Sequence, residues 1–174
     1  MTSTDLQTPI TYIDLKPVQG SLAGSVLTGL RASPKYLESK FLYDERGSYL
    51  FEQICAQPEY YPTRTELGIL RAQAGEIAAL IGPAAHVIEL GAGALEKVGL
   101  LLAALERPAG FTAIDISGDH LKQAAEALAG QFPDIDMSAV CADYTADYTL
   151  PEALGRGARR RVGFFPGSTI GNFT

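Results

Sequence analysis

A glycine turn flanked by acids is the first place in this chain where residue types and spacing could do chemistry. The stretch HVIELGAGALE, residues 86–96, runs from a short apolar segment through Gly91-Ala92-Gly93 into a helical pattern. Leu95, Val98, Leu101, Leu102 and Leu105 repeat on one helical face. A buried strand, a tight glycine turn and a helix form the opening of a βαβ unit that holds a nucleotide. Gly91 and Gly93 are the points where a side chain would block the approach of the backbone to a ligand. The dinucleotide fingerprint G-x-G-x-x-G would place its third glycine at position 96, which is Glu96. That departure argues against a pyrophosphate cradle. A second apolar run, FTAIDI at 111–116, ends in Asp115, 22 residues beyond Gly93. An acid near that spacing suits the two hydroxyls of a ribose, which a carboxylate can accept together. The competing role for Asp115 is a helix N-cap, which Ser117 could fill equally well.

These residues must be held by flanking elements. Residues 1 to about 20 carry Pro9 and Pro17 without periodicity and read as a mobile arm or an extended strand. A weak amphipathic helix is expected from Ser21 to Arg31 and is stopped by Pro34. Ser48 is expected to cap a short helix from Tyr49 to Ala56. In PEYYPTRTE, 58–66, Thr63 and Glu66 have the T-x-x-E spacing of a capping box. The helix that follows carries Leu67, Leu70, Ala74, Ile77, Ala78 and Ile81 and stops at Gly82-Pro83. A helix over 119–132 and strands at about 137–142 and 161–165 complete the alternation. The third strand delivers Asp143 and Tyr144 to its carboxyl end, where ligands sit in open α/β sheets, so Asp143 is a candidate for an adenine amino group. The fourth leads into PGSTIGNFT, 166–174. Four strands alternating with helices are the beginning of a doubly wound sheet. We therefore expect an α/β fold, a partial doubly wound, Rossmann-like sheet preceded by an N-terminal helical segment. Residues 1–66 are expected to form the arm and helical cap, and 67–174 the first part of the cofactor-binding domain.

Composition removes several classes of function. The 174 residues carry a net charge of −6, with 47% hydrophobic and 20% charged residues. No basic stripe suits a nucleic-acid backbone, and Arg159-Arg160-Arg161 reads as a solvated turn before a strand. No apolar run reaches the roughly 18 residues of a membrane span. The N-terminus lacks a basic start followed by an apolar block. Cys55 and Cys141 have no metal-like spacing and fit a reducing cytoplasm. His86 and His120 lie away from strand ends and read as structural or exposed.

Several strings together resemble one family. PEYYPTRTE at 58–66, ELGAGALEK at 89–97, the Asp115 strand end, CADY at 141–144 and PGSTIGNF at 166–173 are similar to the histidine-specific S-adenosylmethionine-dependent methyltransferases. The resemblance runs from about residue 24 onward. It implies an N-methyltransferase acting on the α-amino group of histidine, by successive methylation as in ergothioneine biosynthesis, with S-adenosylmethionine as cofactor. It implies that Gly91 and Lys97 contact the methionine part of that cofactor, that Gly93 belongs to the same cofactor-binding turn, that Asp115 holds the ribose, and that Asp143 and Tyr144 meet the adenine. Tyr60 and Asn172 would hold the histidine, Tyr43 would lie near its amine, and Gly167 would line the same pocket. The family's sheet has more strands, so the chain is expected to be an N-terminal portion with an uncovered sheet edge able to pair with a second copy. Two other functions stand beside this one: a non-catalytic cofactor-binding fragment, and a methyltransferase for a different small amine. A nucleotide-binding oxidoreductase with a modified turn is a further rival. No residue is assigned as a general base.

Overall fold

The computed structural model describes residues 10–17, 20–42, 44–93, 95–167 and 169–172, with the side chains of 45 and 172 outside that description. Five strands form one parallel sheet. They are β1 (Thr11–Asp14), β2 (Ala85–Leu90), β3 (Gly110–Asp115), β4 (Met137–Cys141) and β5 (Arg160–Phe164), in the order β1-β4-β3-β2-β5. The helices are α1 (Leu22–Arg31), α2 (Glu45–Cys55), α3 (Pro62–Ile81), α4 (Glu96–Ala104) and α5 (Gly118–Gln131). Short 3-10 turns occupy Ser39–Leu42 and Thr169–Asn172.

Periodicity decided the central elements. β3 and β4 are buried at nearly every position, as strands covered on both faces must be. Val87, Phe111, Ala113 and Ala139 pack with Val98, Leu101, Leu121 and Ala125 in one core. Ile114, Val140 and Ala142 form a smaller second cluster. Helix α3 packs against α4, and α5 packs against β3 and β4. The register aligns Glu89 with Ala113 and Asp115 with Cys141, so the carboxyl ends of the central strands lie almost level.

The N-terminal arm takes the extended-strand alternative: β1 pairs in parallel with β4, Thr11 opposite Ser138, along one edge of the sheet. Two local expectations are corrected. Helix α2 starts at Glu45, capped by the Asp44 carboxylate on the Gly47 N–H at 2.7 Å, instead of at Tyr49 under Ser48. Asp44 accepts from the backbone more strongly than a serine, being charged, so the earlier cap wins. The T-x-x-E box does not form. Helix α3 opens two residues sooner with Pro62 in its first turn, and its cap, Tyr61, makes no side-chain capping bond. Proline needs no N–H partner and has its φ preset, which favours that start. Thr63 then turns to Cys55 Sγ at 3.4 Å, and Glu66 is released from the helix end. At the other end of α3 the expected stop holds, with Gly82 as C-cap.

Histidine 86 is structural. It is 3% exposed, and its Nε2 meets Thr112 Oγ1 at 2.8 Å across β2 and β3. Burial lowers its pKa, and Arg161 lowers it further, so the ring is held neutral. Gly110 sits beside it. A Cβ there would stand 2.7 Å from His86 Nδ1 and 3.1 Å from the Asp136 carbonyl. Gly110→Ala is therefore expected to destabilise the fold by about 1–3 kcal/mol through overpacking. Gly75→Ala, at a helical position with nothing within 4 Å, should stabilise it by about 0.5–1 kcal/mol. Urea denaturation of the two variants checks both signs.

Candidate functional site

The order of the strands creates the site. Strands β3 and β5 flank β2, so the chain departs from β2 in one direction and later returns on its other side. In open α/β sheets the crevice at such a reversal, outside the carboxyl ends, receives ligands. A cleft of about 1470 Å³ lies there, lined by residues that follow β2, β3, β4 and β5 and by the segment from α1 to α3.

The turn after β2 is shaped by its backbone. Gly91 has φ +69° and Gly93 φ +49°, and Leu95 takes a left-handed conformation as the residue before α4. Gly91 and Ala92 donate their N–H groups to the Ile114 carbonyl at 2.9 and 3.3 Å, which ties the turn to β3. A Cβ on Gly91 would lie 3.3 Å from the Tyr144 hydroxyl. Both space and conformation thus call for glycine at 91. At Gly93 the nearest atom to a Cβ is 4.0 Å away, so there the backbone conformation alone sets the requirement.

The acids differ in environment. Glu89 is 2% exposed, and its Oε2 has no hydrogen-bond partner among the described residues. Burial raises its pKa to about 9, with Lys97 opposing and Asp115 and Glu66 adding to the rise. An acid in this state carries its proton at neutral pH. Asp115, at the end of β3, accepts the Ser117 N–H at 2.9 Å. Ser117 is the residue before α5 and makes no side-chain capping bond, so neither residue caps that helix through its side chain. Asp143 accepts from the Thr145 N–H at 2.9 Å, from the Thr145 hydroxyl at 2.5 Å and from Lys40 Nζ at 3.4 Å. Burial would raise its pKa, but the Thr145 bonds and the Lys40 charge outweigh this and hold it low. Lys40 also pairs with Glu38 at 3.0 Å, so it links the segment before α2 to the end of β4.

The sequence-predicted residues largely converge. Gly91, Gly93, Lys97, Asp115, Asp143, Tyr144, Tyr60 and Gly167 all line this one cleft. Tyr144 packs edge-on to Phe165 with centroids 6.0 Å apart, and Tyr60 packs edge-on to Phe51 at 5.9 Å. Asn172 ends the 3-10 turn after β5, and its side chain lies outside the described residues. Tyr43 also lies outside them. Sequence reasoning missed Glu66, Lys40 and His120 as lining residues. Glu66 stood inside the PEYYPTRTE string but was occupied there by an expected capping role. His120, in the first turn of α5, reaches the cleft because that turn follows directly from the Asp115 strand end. Lys40 gave no local signal, since its carboxylate partner at 143 is far off in sequence.

With this geometry in place, the likeness to known proteins takes on meaning. Residues 22–174 match the model of a family described as histidine-specific, SAM-dependent methyltransferases. The chain is 41% identical over 168 residues to the histidine N-alpha-methyltransferase of Mycolicibacterium smegmatis, covering 94% of this chain and 50% of that protein. It is 34% identical over 143 residues to ergothioneine biosynthesis protein 1 of Neurospora crassa, covering 80% of this chain and 16% of that protein. It is 35% identical over 116 residues to a 4-dimethylallyltryptophan N-methyltransferase of Claviceps purpurea, covering 65% of this chain and 34% of the relative. The chain spans about half the length of the histidine methyltransferases it matches. Because the match embraces the glycine turn, all three later strand ends and the loop beyond β5, the chain belongs to the histidine-specific, SAM-dependent methyltransferase family.

Proposed function

We propose that this protein is an S-adenosylmethionine-dependent N-methyltransferase that acts on the α-amino group of histidine. One observation carries the reading. Candidate cofactor residues and the candidate substrate residues Tyr60 and Gly167 line a single cleft at the point where the strand order reverses. Residues 1–66 would supply the arm and helical cap of this site, and 67–174 its cofactor-binding part. The two cysteines are free thiols, consistent with work in a reducing cytoplasm, and no described helix is long and apolar enough to cross a membrane.

The residues present fit such a cofactor. Its amino-acid end carries an ammonium and a carboxylate, and its sulfur is cationic. Around the Gly91 turn stand Lys97 for the carboxylate and Glu89, whose buried unpartnered Oε2 would accept a hydrogen bond from the ammonium. Asp115 would accept from the ribose hydroxyls. Asp143, kept ionised by its Thr145 and Lys40 contacts, would accept from the adenine amino group beside Tyr144. When bound, the cofactor supplies an electrophilic methyl group.

The protein's part is alignment. An amine lone pair must point at the methyl carbon along the axis of the departing sulfur, and orientation of this kind contributes up to about 7–11 kcal/mol in favourable cases. Tyr60 would present its ring to an amine that becomes cationic as it is methylated, worth about 0.5–2 kcal/mol. Gly167 would line the substrate side of the cleft. Asn172 would hold the amino acid through an amide that both donates and accepts, and Tyr43 would stand near the amine.

A second reading keeps the chemistry and changes the amine. The similarity to a 4-dimethylallyltryptophan N-methyltransferase favours an indole-bearing amino acid as the alternative.

Mass spectrometry of L-histidine incubated with the protein and S-adenosylmethionine should show products heavier by one, two and three methyl groups. Unmodified histidine beside a methylated tryptophan-type amine would move the assignment to the second reading, and no product from either would overturn both. Asp115→Ala should weaken cofactor binding by about tenfold or more, the loss expected for hydrogen bonds to a charged group, with little change in melting temperature. Calorimetric titration measures the first and a thermal scan the second. Glu89 gives a pH signature. Its folded pKa lies above the unfolded value, so the folded chain holds a proton that the unfolded chain has released between about pH 4.5 and 9. Stability conferred by the neutral acid is thus lost as pH rises through that window. Glu89→Gln should gain on the wild-type chain from pH 5 to pH 8, by at most about 1.4 kcal/mol per pH unit. Denaturant curves at several pH values would show a constant gap if Glu89 titrated normally.

A further inference from the structure

Glu66 joins three elements at once. It sits on α3, and its Oε1 accepts the Gly167 N–H from the loop after β5 at 2.8 Å. Its Oε2 pairs with Lys97 Nζ, from the first turn of α4, at 2.5 Å. Lys97 also lies close to that loop, for a Cβ built on Gly167 would stand 3.1 Å from its Nζ. The Glu66 side chain is partly exposed, at 31%, and that of Lys97 at 21%. Glu66 therefore serves two clients that line the cleft, one on α4 and one in the loop after β5.

We propose that Glu66 is a positioning residue that couples the cofactor side of the cleft to the substrate side. It aims Lys97 at the carboxylate of the cofactor's amino-acid end, and it fixes the backbone of the loop that carries Gly167 toward Asn172. The inference rests on the proposed methyltransferase reading for the identity of those ligands. The two duties are chemically separable. Holding Lys97 requires negative charge, whereas accepting from Gly167 requires only an oxygen. Glu66→Gln keeps the oxygen and removes the charge, and Glu66→Ala removes both.

Three ligands and one amide test this in the 174-residue chain. S-Adenosylmethionine and S-adenosylhomocysteine both carry the amino-acid carboxylate that Lys97 would meet. 5′-Methylthioadenosine keeps the adenosine and the sulfur but lacks that carboxylate. Calorimetry should show S-adenosylhomocysteine binding weakened about three- to tenfold by Glu66→Gln, with 5′-methylthioadenosine unchanged, because only the first engages Lys97. Hydrogen exchange at the Gly167 amide, followed by NMR, should stay within about threefold of wild type in Glu66→Gln and rise at least tenfold in Glu66→Ala. Equal losses for both ligands would mark a merely structural role and overturn the proposal. So would unchanged affinity for S-adenosylhomocysteine, or Gly167 exchange unaffected by Glu66→Ala. If the wild-type chain bound none of the three ligands, the cofactor reading itself would fail, a result distinct from any of these.

Discussion

Parallel pairing on both sides of β2 is the constraint on which the molecule depends. A parallel neighbour cannot be reached by a tight turn, so every strand must be followed by a crossover. The chain leaves the end of β2 for β3 on one side, and only after β4 does it return to β5 on the other side of β2. The cleft lies at the carboxyl end of β2, between the strand ends of these two neighbours. Asp115 ends β3, and the glycine turn, Asp143 and Gly167 lie just beyond strands whose ends share this level. Their convergence follows from register and strand order before any side chain is considered.

Electrostatics gives the cleft its character. Glu66, Asp115 and Asp143 face Lys40 and Lys97 across it, and Glu89 adds a further carboxyl group. Each lysine has an acidic partner across elements, Lys97 with Glu66 and Lys40 with Glu38 and Asp143. Glu89 meets its situation differently, remaining protonated because it is too deeply buried to ionise freely. The result is a pocket with acceptor oxygens in several protonation environments: one neutral and buried, one tightly hydrogen-bonded and ionised, others at the rim. That variety suits a ligand with separate cationic, hydroxylic and amide-like parts better than it suits a phosphate.

Sequence and structure agree where local physics is sufficient. The period of Leu95, Val98, Leu101 and Leu105 and the short, mostly apolar runs at 87–90 and 111–114 set the βαβ core, and the glycines mark the turn after the first of them. The same logic located Asp115, Asp143 and Tyr144 by their places at strand ends. It failed where two compatible local choices competed. Thr63 and Glu66 satisfy a capping pattern, yet Pro62 offers an earlier start, and nothing in the string weighs one against the other. It also failed for pairings made between distant residues. Glu66 with Gly167 and Lys40 with Asp143 depend on strand order, which periodicity does not contain. β1 went unresolved for the same reason, because four residues with little alternation become a strand only when β4 is there to receive them.

That edge strand has a consequence for how the chain reaches its final form. Thr11 finds its partner at Ser138, so most of the described chain forms the loop that this pairing closes. The entropic cost of closing a loop grows only slowly with its length, but such distant contacts form late because they give nothing back until the ends meet. During synthesis, β1 emerges early and waits without a ladder, while β4 later presents an open edge until β1 returns. The βαβ core around the cleft can assemble through shorter closures first. The N-terminal strand thus acts as a final latch on a sheet already formed, and the interval before it docks is when the β4 edge is open to mispairing with another chain.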